Sequence, residues 1–211
     1  GGLVERAVGR MRRSAKILIY SHDSFGLGHL RRCRSIAHSL ADAVPDSSIL
    51  ILSGSPIIGS FEFKPRIDFV RVPGVTKLSD GGYTSHSLPI DVEETLAIRA
   101  SIIEHTASVF APDIFIVDKE PLGLRGEVRP TLLRLREAGT HLVLGLRDVM
   151  DDPDVLREEW ERKRAHQALD QLYDDIWVFG LRDFFDPLAG AGVSPDVYER
   201  PRFTGYLRSA Q

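Results

Sequence analysis

The sequence of 211 residues predicts an α/β fold, in which helices cover both faces of a doubly wound parallel sheet of six or seven strands. Two observations lead to this prediction. Short runs of about five or six apolar residues recur along the chain without alternating polar residues, which is typical of parallel strands buried on both faces. Longer segments with apolar residues at three- and four-residue steps separate most of these runs, as crossover helices would.

The predicted strands are rich in β-branched and aromatic residues, which favour extended backbone. In chain order they are Lys16–Tyr20, Ser48–Leu52, Ile67–Val72, Asp113–Asp118, His141–Leu146, Asp175–Phe179 and a last strand near Arg202–Leu207. The predicted helices are His29–Ala43, Val92–Phe110, Glu127–Ala138 and Val155–Tyr173. Because a pair of parallel strands needs a long crossover connection, this alternation favours a parallel sheet.

Caps and an apolar face support two of the helices. Asp91 can cap the amino terminus of the helix that follows it, and Gly139 is a natural carboxyl-terminal cap for the helix before it. The helix Val92–Phe110 is expected to bury one apolar face, which is formed by Leu96, Ile98, Ile102, Ile103 and Val109.

One long segment, Pro73–Pro89, does not fit the alternation. It is polar and glycine-rich, and it shows neither a helical nor a strand period. Connections of this length inside a domain are often lids or binding loops. A simple surface excursion is the alternative, and both interpretations stay open.

Composition and charge exclude several classes of protein. The formal net charge is −3, from 27 Lys plus Arg against 30 Asp plus Glu, which leaves no basic footprint for nucleic acid. No apolar run approaches the roughly 18 residues needed to span a bilayer. Cys33 is the single cysteine, so a reducing compartment, the cytoplasm, is expected. Residues 1–14 form a basic stretch, which is expected to be an amino-terminal extension and not a signal peptide. One domain is expected to follow over residues 15–211.

The loop after the first strand is the most informative part of the sequence, because ligands of open parallel sheets bind beyond the carboxyl ends of the strands. Gly26 and Gly28, with Leu27 between them, let the backbone turn tightly and approach a ligand. They lead into a helix whose free N–H groups attract anions such as phosphate. Arg31 in its first turn suits an anionic ligand as well.

The same loop holds the candidate catalytic residues His22, Asp23 and His29. A His at a helix amino terminus stays neutral near pH 7, because the helix dipole disfavours the imidazolium. Neutral imidazole can accept a proton from a hydroxyl or donate a hydrogen bond to phosphate. His29 ranks first for ligand contact, and His22 together with Asp23 ranks first as the base. Structural roles within the loop are the alternatives for all three.

Two further candidates follow other predicted strands. Glu120 comes after the strand that ends at Asp118, and Arg147 comes after the strand that ends at Leu146. An Arg at this position can hold a phosphate or carboxylate through two hydrogen bonds. A purely structural role stays open for both residues.

Known motifs narrow the chemistry further. The dinucleotide fingerprint fails, because Arg31 stands in place of its third glycine and Ser53–Ser55 offers no acid after the second strand. The sequence contains no Walker loop, no nucleophile elbow and no paired cysteine motif. It also shows no cluster of metal ligands, so no metal or other cofactor is expected.

The first loop, Ser21–Arg31 (SHDSFGLGHLR), resembles the glycine-rich G-x-G-H loop of GT-B glycosyltransferases and is most similar to the MurG-like group, glycosyltransferase family 28. Ser24, Phe25 and Leu27 stand where that group has small residues. Four other stretches are similar to a bacterial family of predicted glycosyltransferases: Ile116–Gly126, Leu144–Pro153, Trp177–Pro187 and Phe203–Arg208.

This resemblance implies two Rossmann-like domains that face each other across a cleft. The chain would be the amino-terminal, acceptor-binding half of the GT-B fold, inactive alone. Its own carboxy-terminal domain, absent from this sequence, would bind a UDP-linked sugar donor. The implied reaction is an inverting transfer without metal, in which a base removes the proton of an acceptor hydroxyl. His29, His22 or Asp23 would be that base, and the substrate contacts would come from Gly26, Leu27, Gly28, Arg31, Glu120 and Arg147.

The expected partner is a sugar-containing or lipid-linked acceptor. A peripheral contact with the inner face of the membrane is an open alternative to a wholly cytoplasmic location. Two other functions stay open at this point. One is a nucleotide-sugar epimerase or hydrolase on the same scaffold, and the other is a non-catalytic module that binds glycans or phosphate groups.

Overall fold

The computed structural model describes residues 14–22, 28–147, 172–179 and 201–203. The strands in these ranges are β1 (Lys16–Ser21), β2 (Ser48–Ser53), β3 (Ile67–Arg71), β4 (Val75–Lys77), β5 (Tyr83–Ser85), β6 (Ile114–Asp118), β7 (His141–Arg147), β8 (Asp175–Phe179) and β9 (Pro201–Phe203). Seven of them form one parallel sheet in the order β3-β2-β1-β6-β7-β8-β9. The prediction of a doubly wound parallel sheet is confirmed.

Helices cover both faces of this sheet. They are α1 (Gly28–Ala43), α2 (Val92–Phe110) and α3 (Arg129–Glu137). Successive residues of a strand point to opposite faces, so Ile17 and Ile19 of β1 pack with α1, whereas Leu18 and Tyr20 pack with α2 and α3. The continuous apolar runs in the sequence reflect this burial on both sides.

The strand order reverses beside β1. From β1 the chain passes to β2 and β3 on one side, and then returns to place β6 on the other side, with Tyr20 opposite Val117. The carboxyl ends of β1 and β6 therefore lie next to each other. This is the switch point at which open α/β sheets bind their ligands.

The long segment Pro73–Pro89 contains regular structure that the sequence did not predict. Its strands β4 and β5 pair in antiparallel fashion, with Thr76 opposite Thr84. At the turn between them Gly81 has a φ of 88°, and the Gly82 N–H donates to the Asp80 side chain at 2.8 Å. Each strand has only three residues, which is too short to show a period of two.

The buried face of α2 differs from the predicted one. Leu96 and Ile103 are buried as expected, but Ile98 is 37% exposed and Val109 is 73% exposed. Their places on the buried face are taken by residues that include Arg99, which has no exposed surface. An arginine in the core is contrary to the rule of apolar periodicity, so the sequence pattern alone misplaced this face.

The helix caps follow the predictions only in part. Asp91 precedes α2 as expected, but its side chain makes no capping hydrogen bond. Its backbone carbonyl instead accepts hydrogen bonds from the N–H groups of Glu94 and Thr95. Gly139 follows α3 with a φ of 85°, as a carboxyl-terminal cap requires. α3 begins at Arg129 and not at Glu127, because Glu127 belongs to a preceding turn.

Several predictions lie wholly or largely outside the described residues. These are the extension over 1–14, the helix Val155–Tyr173 and most of the last strand. Within the described part, Tyr173 is buried but not helical, and the last strand begins at Pro201, one residue before its predicted start. No helix in the described ranges has the length and apolar character needed to cross a bilayer.

Candidate functional site

The exits of three neighbouring strands meet at the carboxyl edge of the sheet. Ser21 ends β1 and Asp118 ends β6, and the Ser21 hydroxyl donates to the Asp118 carboxylate at 3.4 Å. On the other side of β1, the Gly54 N–H that follows β2 donates to the Ser21 carbonyl at 3.3 Å. The edge at which the sequence placed the site is therefore built from the exits of β1, β2 and β6.

His22, a candidate base, directly follows β1. It is only 4% exposed, so its side chain lies inside the edge. The exit of β2 packs closely against it, because a Cβ atom at Gly54 would lie 2.5 Å from the His22 carbonyl oxygen and 2.8 Å from Arg99 Nη1. Only glycine fits there without displacement of the backbone. The start of the glycine-rich loop is thereby held in place.

The amino terminus of α1 is the second part of the predicted site. α1 begins at Gly28, one residue before its predicted start, and His29 lies in its first turn. Arg31 is exposed. The first turn of α1 contains no acidic residue that would compete with an anionic ligand for the free N–H groups of that turn. His29 is described by its backbone alone. The other candidates of this loop lie outside the described residues: Asp23, Gly26 and Leu27.

The remaining two candidates lie at the ends of β6 and β7. Lys119 has a left-handed φ of 59°, and the Glu120 N–H donates to the Asp118 carbonyl at 2.7 Å. Glu120 is 6% exposed, so this tight turn places it inside the protein. Arg147 is the last residue of β7, not the first after it, and pairs in register with Phe179. It lies one strand further from the switch point than Glu120.

Asp118 is a carboxylate at the switch point that sequence reasoning did not single out. It is 2% exposed and belongs to the strand beside β1. The sequence does show that Asp118 ends an apolar strand, as a residue at the binding edge would. That this strand lies beside β1 could be known only from the strand order. Within the described ranges, no three His, Cys, Asp or Glu side chains are grouped so that they could hold a metal ion.

A buried polar cluster, formed by Tyr20, Arg99 and Glu127, lies just inside the carboxyl edge. Arg99 donates to both carboxylate oxygens of Glu127, from Nε to Oε2 at 2.8 Å and from Nη2 to Oε1 at 2.9 Å. The Tyr20 hydroxyl donates to Glu127 Oε1 and accepts from Arg99 Nη2 at 3.1 Å. The Arg99 and Glu127 side chains are 0% and 2% exposed.

The electrostatics of Glu127 are set by opposing effects. Burial raises the pKa of Glu127, while the Leu124 N–H that donates to its carboxylate acts in the opposite direction. The two donors of Arg99 also favour the ionised carboxylate, because a guanidinium stays charged throughout the accessible pH range. We therefore treat Arg99 and Glu127 as a buried ion pair, in which either partner alone would be an uncompensated buried charge.

Arg99 reaches the carboxyl edge as well. Its Nη1 donates to the Pro73 carbonyl at 2.8 Å, and its Nη2 lies 3.5 Å from the His22 carbonyl. Sequence reasoning missed this residue. The available signal was that Arg99 shares a helix face with buried Thr95, Leu96 and Ile103 at three- and four-residue steps.

A cavity of about 370 Å³ opens between the exit of β3, the segment Pro73–Pro89 and α2. This volume falls in the range of small-molecule sites. Its lining is partly apolar, with polar groups among it, and includes Val72, Pro73, Leu88, Ile102, Arg71 and Ser87.

A hydroxyl pair joins the long segment to α2 at this cavity. The Ser85 hydroxyl donates to the Ile90 carbonyl at 2.9 Å and lies 2.7 Å from the Thr95 hydroxyl. Both serine and threonine line the cavity. The segment Pro73–Pro89 is therefore attached to α2 along one wall of a pocket.

Comparisons with known proteins give the fold. No protein-family model and no curated protein sequence matches the chain. Among solved structures, it is similar to a UGT transferase from Siraitia grosvenorii in complex with UDP, with 11% identity and a TM-score of 0.53 over 90% of this chain and 50% of that one. It is also similar to a putative UDP-N-acetylglucosamine 2-epimerase from Listeria monocytogenes, with 11% identity and a TM-score of 0.49 over 87% and 44%.

The likeness to the transferase shows a Rossmann-like domain of the GT-B kind. The chain spans about half the length of these solved structures.

Proposed function

We propose that the chain is the acceptor-binding domain of an inverting, MurG-like glycosyltransferase. The single observation that carries the proposal is that the Arg99 guanidinium links the wall of the cavity to the β1 exit. Pro73 lines the cavity, and its carbonyl is bonded to the same guanidinium that lies 3.5 Å from the His22 carbonyl. An acceptor held in the cavity would thus contact a residue that Arg99 connects to His22, one of the candidate bases.

The proposed reaction needs no covalent intermediate. The acceptor hydroxyl attacks the anomeric carbon of a sugar nucleotide, the bond between that carbon and the phosphate oxygen breaks, and the nucleoside diphosphate leaves. The hydroxyl proton passes to a base, for which His29, His22 and Asp23 are the candidates. The free N–H groups at the start of α1 would stabilise negative charge on the diphosphate.

We propose that a second domain, the chain's own carboxy-terminal partner, binds a UDP-linked donor. UDP is the ligand of the transferase from Siraitia grosvenorii, which has the same fold in one half. The apolar lining of the cavity, with Leu88 48% exposed beside it, favours an acceptor with both a sugar and an apolar part, such as a lipid-linked sugar. Such an acceptor would bring a cytoplasmic enzyme to the inner face of the membrane.

The test is turnover of UDP-glucose and UDP-N-acetylglucosamine by the full-length protein, with alkyl glycosides as acceptors. His29→Ala and His22→Ala are compared with His105→Ala, which changes an exposed histidine of α2. Loss of the base is expected to lower kcat by about 100- to 10,000-fold. The control is expected to keep the wild-type rate.

Wild-type turnover in both His29→Ala and His22→Ala would remove these histidines from the mechanism. Release of free sugar, or formation of an epimer, without any acceptor would contradict the transferase proposal. It would favour a hydrolase or epimerase on the same scaffold.

A further inference from the structure

We propose that Arg99 is a positioning residue, which fixes the exits of β1 and β3 relative to each other and so aligns His22 with the cavity. The alignment is a property of this chain and can be measured without substrate. Its consequence for turnover rests on the proposed function.

The Arg99 guanidinium donates to more groups than its charge requires. Arg99 donates to Glu127 from Nε and from Nη2. These two hydrogen bonds alone would suffice to neutralise the charge of the guanidinium. Nη1 instead donates to the Pro73 carbonyl at 2.8 Å, and Nη2 also faces the His22 carbonyl at 3.5 Å. These carbonyls belong to the first residues beyond Val72 and Ser21. The donors of one rigid planar group thus join the exits of two strands that are not neighbours in the sheet.

The backbone packs closely around this contact. Gly54, from the exit of β2, lies between the two joined exits. A side chain there would meet both the His22 carbonyl and Arg99 Nη1 at less than 3 Å. The backbone at the edge is therefore built to let the guanidinium approach.

The same cluster of Tyr20, Arg99 and Glu127 extends to the exit of β6. Glu127 Oε1 accepts from the Leu124 N–H at 3.3 Å, and Leu124 begins the turn that follows β6 and its short loop. Arg99 therefore acts on three loops of the edge, two directly and one through Glu127. A purely structural ion pair would have no reason to contact carbonyls at two of these exits as well.

Arg99→Lys is the informative substitution. It keeps the positive charge for Glu127, but its single ammonium group cannot reproduce the planar fork that serves a carboxylate and two carbonyls together. The matched control is Ile103→Ala, one turn further along the same face of α2. Ile103 is fully buried, and its truncation costs stability without touching the edge.

The experiment is native-state hydrogen exchange on the full-length protein. Two amides report on the edge: Gly54 N–H, bonded to the Ser21 carbonyl, and His86 N–H, bonded to the Gly74 carbonyl. Arg99→Lys is expected to speed exchange at both by about tenfold or more, as loss of a local hydrogen bond would. Ile103→Ala is expected to leave both rates close to wild type under conditions where global unfolding is slow.

Equal acceleration in the two variants, or none in Arg99→Lys, would overturn the proposal. If Arg99→Lys does not fold, Tyr20→Phe is used to test whether the cluster around Arg99 holds the edge in place. It removes only the hydroxyl that contacts Arg99 and Glu127. It is expected to accelerate Gly54 exchange. An unchanged rate in that variant would overturn the proposal in the same way.

Kinetics then separate this inference from the proposed function. In a protein that transfers sugar, Arg99→Lys is expected to lower kcat by up to about 100-fold, since small misplacements of reacting groups have effects of this size. KM for the UDP-sugar is expected to change little, because the donor is proposed to bind the other domain. A raised donor KM with unchanged kcat would contradict the kinetic role. If no transfer is found but exchange behaves as expected, only the proposed function fails.

Discussion

Among single residues, His141 links the starts of β7 and β8. Its Nε2 lies 2.6 Å from the Asp175 carboxylate, and its Nδ1 lies 3.8 Å from that of Asp174. The hydrogen bond to Asp175 raises the pKa of His141 above its usual value near 6.5, although burial acts in the opposite direction. The folded protein therefore binds this proton more tightly than the unfolded chain does.

The consequence is a pH-dependent contribution to stability. A raised pKa in the folded state stabilises the fold fully below about pH 6.5, and the contribution is lost as the pH rises through the raised value. Urea unfolding across this range is expected to show the free energy of unfolding falling with rising pH. His141→Gln is expected to flatten that fall, and an unchanged slope in the variant would contradict the assignment.

Gly54 provides a second test at the residue scale. Gly54→Ala places a Cβ atom 2.5 Å from the His22 carbonyl, so the backbone of the edge must shift. We expect the free energy of unfolding to fall by about 1–3 kcal/mol, the usual cost of overpacking. Gly59→Ala is the matched control, because its Cβ atom would meet only Phe69 Cζ at 3.8 Å.

For the control, we expect a change within about 0.5 kcal/mol, as at an ordinary surface position. Chemical denaturation of both variants gives the comparison. Equal stability of Gly54→Ala and Gly59→Ala would show that the exit of β2 is not tightly packed against β1.

At the scale of elements, α2 shows what the sequence could predict and what it could not. Its bounds, Val92–Phe110, agree with the prediction, because the helical period and the flanking Asp91 depend on local sequence. Its buried face did not agree, because Arg99 is stabilised in the core by partners distant in the chain. Glu127 is 28 residues away and Tyr20 is 79 residues away. No local pattern encodes such contacts.

The candidate site divides in the same way. His22 and the start of α1 were placed correctly at the carboxyl edge, because the alternation of strands and helices fixes which loops lie there. The sequence did not predict that residues after β3 line a cavity. The strands β4 and β5 within Pro73–Pro89 are too short to show the two-residue alternation of a strand. Asp118 was overlooked because its nearness to Ser21 depends on the strand order.

The segment Pro73–Pro89 also allows a test of the acceptor. Leu88 lines the cavity and is 48% exposed, while Leu78, in the hairpin turn, is 44% exposed and does not line it. We expect Leu88→Asp to weaken binding of octyl glucoside by about tenfold, through loss of apolar contact of roughly 1.5 kcal/mol. Leu78→Asp is expected to leave binding unchanged.

Isothermal titration of both variants distinguishes these outcomes. Because each leucine is substantially exposed, neither change is expected to affect folding greatly. Equal affinities in Leu88→Asp and the wild type would place the apolar part of the acceptor elsewhere.

For the whole molecule, the sequence was sufficient to predict the fold. Continuous apolar runs separated by helical patterns allow few arrangements other than a parallel sheet with helices on both faces, and the observed seven-stranded sheet is of this kind. The chain covers only 50% of the transferase from Siraitia grosvenorii, so the likeness extends to half of that protein. We propose that this domain binds the acceptor and that another domain binds the donor.

The measurement that tests this assignment most directly is an NMR titration of the 211-residue chain with octyl glucoside and, separately, with UDP. We expect the glycoside to shift the amide signals of Val72, Gly74 and Leu88 around the cavity, together with that of His22. We expect UDP to leave the cavity signals unchanged. Shifts of the cavity residues by UDP, or none by the glycoside, would contradict the assignment of this domain to the acceptor.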